Sequence, residues 1–221
     1  MSLAPPVADQ IVRLPVDADR PLLICDADEV LVQFAVTLER FLADAGFTVR
    51  FDSFRLSGNV RHADSGAVAD DATVHGLIAR FFDERVADCP PVDGAVEALA
   101  QLSRRTDIVV LSNVPMAART ARERAMAAQG FAYPLVANAG PKGPAVAALV
   151  AGRRAPCLFL DDLPGNIASV ADAAPPVHRI HFVADPRLAR LIGPADGAHA
   201  RIDRWADAGP YIDRHMTDAG F

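Results

Sequence analysis

Cysteine is scarce in this 221-residue chain: Cys25, Cys89 and Cys157 are the only three, an odd count with no CxxC spacing. That argues against a disulfide framework or a thiolate metal site and makes a reducing cytoplasm the expected setting. Long apolar runs are missing too. Although 51% of the residues are hydrophobic, no stretch approaches the ~18 residues that would span a bilayer, so no membrane partner is expected. The opening residues Met1-Ser2-Leu3-Ala4-Pro5-Pro6 lack the charged-then-apolar pattern of a secretory leader. Net positive charge is also absent. At −6, with no basic stripe carrying interleaved aromatics, the chain is not expected to bind nucleic acid. An acidic protein that handles an anion must then supply local positive charge, through a few placed Lys or Arg residues or a metal. No internal repeat or low-complexity tract is visible.

The length suits one α/β domain, or a core with a modest insertion. The informative stretch is Leu22-Leu23-Ile24-Cys25-Asp26-Ala27-Asp28. A four-residue apolar run after Pro21 reads as a strand buried on both faces, as inside a parallel sheet. It stops at two carboxylates spaced one apart, and ligands of open α/β sheets bind beyond such carboxyl ends. Phe34, Leu38, Phe41 and Leu42 then recur at helical spacing, and Val74, Leu77, Ile78, Phe81 and Phe82 mark a second helix. Between them, from Phe47 to about Asp71, the pattern weakens into loops. Cys89-Pro90-Pro91 is the best domain joint in the chain.

Beyond that joint the period alternates as in a βαβ array. Strands are expected at Ile108–Leu111, Leu135–Ala137, Cys157–Leu160 and Arg179–Val183. Helices are expected at Met116–Gln129, Pro144–Val150, Ile167–Ala173 and near Pro186–Leu191, with a last one around Trp205, Tyr211 and Ile212. Leu111 runs into Ser112-Asn113, and Leu160 into Asp161-Asp162. In a parallel sheet those ends share one edge with Asp26 and Asp28. Like charges ~4 Å apart repel by roughly 4 kcal/mol at an effective dielectric near 20, so such a cluster needs a cation. All-oxygen ligands suit Mg²⁺, which keeps waters and bridges to phosphate. Lys142, in Gly140-Pro141-Lys142-Gly143-Pro144 at a helix mouth, supplies a positive point charge.

With these motifs assembled, the chain resembles the haloacid dehalogenase superfamily of aspartate-nucleophile phosphotransferases. Asp26-Ala27-Asp28 matches its first motif, Ser112 with Asn113 its second, Lys142 its third, and Asp161-Asp162 followed by Asn166 its fourth. All occur in family order between Leu22 and about Ala173. The fold this implies is a three-layer α/β sandwich with a parallel Rossmann-like sheet and a small, mostly helical cap. The expected core is 20–34 and 92–221, and the expected cap is 35–91.

The resemblance implies a site as well. Asp26 would be the nucleophile and Asp28 the general acid and base. Ser112, backbone amides and Lys142 would hold phosphate oxygens, with Asn113 a substrate contact beside them. Asp26, the backbone carbonyl of Asp28, and Asp162 or Asp161 would ligate Mg²⁺, with Asn166 orienting Lys142 or the acidic pair. Arg55, Arg61, His62 and His75 could reach in from the cap, with Arg61 and His62 preferred as substrate contacts. His178 and His181 read as structural. Family dehalogenases lack the acid corresponding to Asp28, so phosphate chemistry is favoured over dehalogenation. Glu29 departs from the Gly that many relatives carry; it either adds charge at the site or points to solvent. The expected activity is hydrolysis of a small phosphomonoester of the nucleotide or sugar phosphate class. The rivals are a phosphomutase or other phosphotransferase and a non-catalytic phosphate or metal receptor.

Overall fold

A computed structural model describes residues 3–221; Met1 and Ser2, part of the stretch read above as leaderless, lie outside it. Six parallel strands form the central sheet: β1 (Leu22–Cys25), β4 (Asp107–Ser112), β5 (Leu135–Ala137), β6 (Cys157–Asp161), β7 (His178–His181) and β8 (Ala200–Arg201). Their order is β5-β4-β1-β6-β7-β8. β1 is central and pairs in register with both neighbours, Leu23 opposite Ile108 and Leu158, Cys25 opposite Val110 and Leu160.

Side chains of a strand alternate between faces, and β1 shows this cleanly. Leu22 and Ile24 pack with Val7, Val146, Leu149, Ile167 and Val170. Those residues belong to α1 (Pro5–Ile11), α6 (Gly143–Val150) and α7 (Pro164–Ala173). Leu23 and Cys25 pack the other way, with Leu99, Met126, Trp205 and Met216. These come from α4 (Ala95–Leu102), α5 (Arg119–Ala128) and α9 (Trp205–Asp218). Helices therefore cover both faces, the three layers expected. Among the described residues no helix is long and apolar enough to cross a membrane.

The segment between β1 and β4 carries α2 (Phe34–Asp44), the strands β2 (Phe47–Val49) and β3 (Val60–His62), and α3 (Asp71–Glu84). Phe41 meets Phe81 edge to face, ring centroids 5.7 Å apart. Asp70 caps α3 by accepting from the Thr73 N–H at 2.7 Å. β2 and β3 form an antiparallel pair where the sequence suggested only loops. Three-residue strands with Thr48 opposite Arg61 are too short and too polar to stand out by alternation. The insert's apolar core runs on into the main one through Val30, Leu31 and Cys89.

A second difference lies before residue 20. Helix α1 belongs to the core: the Gln10 side chain accepts from Ala137 N at 2.9 Å and donates to Ala137 O at 3.0 Å. One amide side chain thus acts as a strand partner for the exposed edge of β5.

Candidate active site

The parallel register of β1 and β6 sets the site. Cys25 lies opposite Leu160, and Asp26 N donates to Leu160 O at 2.9 Å, so Asp26 and the Asp161-Asp162 pair leave the sheet side by side. Carboxylate oxygens of Asp26, Asp161 and Asp162 all lie within 4.8 Å of one another, and all three residues are buried. Lys142, at the mouth of α6, is fully buried against them, its Nζ 2.7 Å from Asp26 Oδ1 and 2.7 Å from Asp161 Oδ2. Burial opposes its charge, but Asp161 and Asp26 outweigh that and hold the ammonium above the usual lysine range.

The carboxylates are not equivalent. Asp161 has both oxygens engaged: Oδ2 on Lys142, and Oδ1 accepting from Asn166 Nδ2 and Leu163 N at 2.9 Å each. Asp162 accepts no hydrogen bond on its carboxylate from the described residues; only its backbone carbonyl is bonded, to His181 Nε2 at 2.9 Å. Burial, then repulsion from Asp161 and Asp26, pushes Asp162 well above the usual carboxylate range. Asp26 is pushed to about 7, mainly by burial and further by Asp161 and Asp28, against the attraction of Lys142. An unpartnered buried carboxylate beside a second one is an all-oxygen donor set short of a cation, and that suits Mg²⁺. Asp161 is already committed to Lys142 and Asn166, whereas the Asp162 carboxylate faces the cavity without a protein partner.

His181 is fully buried and supports this turn. Its Nδ1 accepts from Ala195 N at 3.0 Å, so Nε2 carries the proton that it donates to Asp162 O. Burial holds its pKa down.

Asp28 lines the same cavity and meets a residue the sequence reading passed over. Arg122 Nη2 lies 2.6 Å from Asp28 Oδ1, and Arg122 is 1% exposed. The guanidinium sits 6.0 Å from the Phe82 ring centre, between core and insert. Burial works against its charge, yet Asp28 and Cys89 hold its pKa above the usual arginine value. A signal for it existed: Ala118, Arg122 and Met126 recur every fourth residue, and all three are buried. An arginine on an apolar stripe needs a buried partner.

Glu29 does not point to solvent. It is buried, with Oε1 accepting from Ala35 N at 2.6 Å and Oε2 from Asp185 N at 3.1 Å. It thereby ties the start of α2 to the loop after β7. Burial is the main cause of its rise to about 7.

The second-motif residues stand at the end of β4. The Ser112 hydroxyl is fully buried and accepts from Val114 N at 3.2 Å, and Ser112 does not line the cavity. Asn113 does line it, braced by Asn138 Nδ2 on its Oδ1 (2.8 Å) and by its own donation to Gly140 O (3.0 Å).

Arg61 and His62, the cap residues expected to reach in, do not. Strand pairing turns Arg61 toward Gly66 O, 3.1 Å away, while His62 packs on the Phe47 ring with centroids 4.8 Å apart. His75 is on the exposed side of α3. Arg55, between β2 and β3, is the cation of this segment that lines the cavity.

No family model and no curated protein sequence matches the chain. Solved structures do. A haloacid dehalogenase-like protein of unknown function from Agrobacterium tumefaciens is 19% identical over 89% of this chain and 98% of its own, with a TM-score of 0.61. The candidate HAD-hydrolase YfnB from Bacillus subtilis, solved with magnesium bound, is 14% identical over 88% and 99%, TM-score 0.58. A candidate β-phosphoglucomutase from Thermotoga maritima is 16% identical over 88% and 99%, TM-score 0.56. The chain has the haloacid dehalogenase-like fold. At such identities the likeness settles architecture, and chemistry has to be argued from the site.

Proposed function

We propose that this protein is a Mg²⁺-dependent phosphomonoester hydrolase that works through a phospho-aspartate on Asp26. The observation that carries the reading is the convergence of Asp26, Asp161 and Asp162 on one buried point, with Lys142 bridging two of them and Asp28 on the adjoining cavity wall. The Asp162 carboxylate takes no hydrogen bond from the described residues and lines the cavity, where it is free to meet a ligand.

Asp26 and Asp162, with the Asp28 backbone carbonyl, would hold the Mg²⁺. A Mg²⁺ held by these residues would supply positive charge for the phosphoryl oxygens and for the buried carboxylates. Asp26 attacks phosphorus in line; the P–O bond to the leaving group breaks, and Asp28 gives its proton to the departing oxygen. Asp28 then takes a proton from water, which attacks the phospho-aspartate and releases inorganic phosphate with Asp26 regenerated. Lys142 and Asn113 hold the remaining phosphoryl oxygens. Arg122 holds Asp28 at the cavity wall through Oδ1, which leaves Oδ2 to carry the proton given to the departing oxygen. The partner in this reading is a small phosphorylated molecule, and unpaired Cys25, Cys89 and Cys157 fit a reducing cytoplasm.

The test is turnover of p-nitrophenyl phosphate with and without Mg²⁺. Asp26→Asn should abolish it, and normal turnover by that variant would remove Asp26 as nucleophile. The likeness to a β-phosphoglucomutase candidate favours one second reading, transfer of the phosphoryl group to a hydroxyl. Product analysis with sugar phosphates separates the two.

A further inference from the structure

The cavity over Asp26 has a polar floor and an apolar roof, and the roof has no assigned role. Its volume is about 290 Å³, at the small end for an organic ligand. The floor is built by the core: Asp26, Asp28, Asn113, Lys142, Asp162 and Asn166. The roof is built by the insert: Phe34 and Leu38 from α2, Phe51, Phe54 and Leu56 from the loop between β2 and β3, and Phe82 from α3.

We infer that the site takes an aromatic phosphomonoester, with the ring of the leaving group seated among Phe34, Phe51, Phe54 and Phe82. This rests on the hydrolase reading for the placement of the phosphate.

Two observations support it. First, the roof is mainly apolar. Its polar side chains are Ser53 and Arg55, both exposed, and Ser53 Oγ already accepts from Asn59 Nδ2 at 3.2 Å. Little of the polar floor is left for a leaving group: Lys142, Asn113 and Asp162 are assigned to phosphate and metal, Asn166 Nδ2 is bonded to Asp161, and both Glu29 oxygens are taken. A sugar drawn out of water would leave its hydroxyls unpaired, which is costly. Second, the roof is preformed. Arg187, paired with Glu39 and Asp185 at 2.8 Å each, stacks its guanidinium 4.9 Å from the Phe51 ring centre. Phe34 lies against Phe82, centroids 6.1 Å apart. Rings held in this way present faces and edges that suit another ring.

The experiment compares kcat/KM for three primary alkyl esters of similar intrinsic reactivity: 2-phenylethyl phosphate, ethyl phosphate, and a pentose phosphate esterified at its primary hydroxyl. The phenylethyl ester should exceed both others by about tenfold or more, since burying a ring is worth well over one factor of ten. Phe54→Ser should reduce that ratio by a similar factor. In parallel, calorimetry on Asp26→Asn measures benzylphosphonate against methylphosphonate, and the benzyl compound should bind at least about tenfold tighter. Hydrolysis of all three esters alike, or preference for the pentose ester, overturns the aromatic assignment while leaving the hydrolase intact. Selective benzylphosphonate binding without hydrolysis of any ester upholds the ring site and overturns the hydrolase. Neither binding preference nor turnover overturns both.

Discussion

At the scale of single residues, the site is a problem of buried charge. Asp26 and Asp161 share one ammonium, Asp162 beside them has none of its own, and a second cation, Arg122, is taken by Asp28. Arg122→Met should lower kcat toward the ~10²–10⁴-fold loss expected when acid–base catalysis is removed. KM should change little and Arg122→Lys should restore part of the rate. Steady-state kinetics checks this, and an unchanged kcat would make the ion pair purely architectural. Glu29 shows how a local rule is broken beside the candidate site. Its φ of 58° makes it the one non-glycine residue with positive φ among the described residues. Two N–H donors on its carboxylate hold it in a conformation that glycine adopts without strain.

At the scale of elements, the position of Lys142 depends on how α6 meets α7. Gly143, the first residue of α6, donates its N–H to Ser169 Oγ at 3.0 Å. A Cβ there would lie 2.2 Å from the Ser169 carbonyl oxygen. Gly143→Ala must therefore push the two helices apart and carry Lys142 with them. An unfolding free energy lower by ~1–3 kcal/mol is expected, read by urea denaturation, together with a drop in kcat. Stability matching wild type would mean that the α6–α7 contact is looser than described. The sequence placed both helices and the lysine correctly, but the closeness of their approach is a tertiary fact.

At the scale of the whole molecule, stability responds to metal and to pH. If Asp162 is a ligand, saturating Mg²⁺ stabilises the wild type, by ~2.7 kcal/mol at a hundredfold excess over Kd. Asp162→Asn should lose most of that increment and, without Mg²⁺ at neutral pH, should melt higher than wild type, because an unpartnered buried carboxylate is gone. Thermal melts with and without Mg²⁺ decide it; an undiminished increment in the variant would exclude Asp162.

The pH response has two parts of opposite sign. Asp26 and Glu29, raised to about 7 from 3.8 and 4.5, hold protons in the folded chain that the unfolded chain releases, so they lower stability as pH rises through that window. His178 works the other way. Burial and then His215 and His199 depress it from 6.5 to about 4, so the unfolded state takes up protons first and stability falls as pH drops through that range. Its ring lies against both of theirs, with centroids 3.9 Å from His215 and 4.7 Å from His199. His178→Phe should remove this contribution. Relative to wild type, the variant should gain melting temperature as pH is lowered from 7 to 5, and a constant difference would refute the assignment.

What could be read from the chain alone was whatever local chemistry and strand period decide. Apolar runs ending at Asp26, Ser112 and Asp161-Asp162 specify buried parallel strands with their acids on one edge, because a parallel sheet has no other way to arrange its carboxyl ends. The weak β2–β3 pair, the strand-like use of Gln10 and the turning away of Arg61 and His62 were not legible. Each depends on a partner distant in sequence. The same holds for the inequality of Asp161 and Asp162 and for the Asp28–Arg122 pair. Spacing brings charged groups to a common place, but which oxygen meets which cation is decided only when helices and insert close around them and water is excluded.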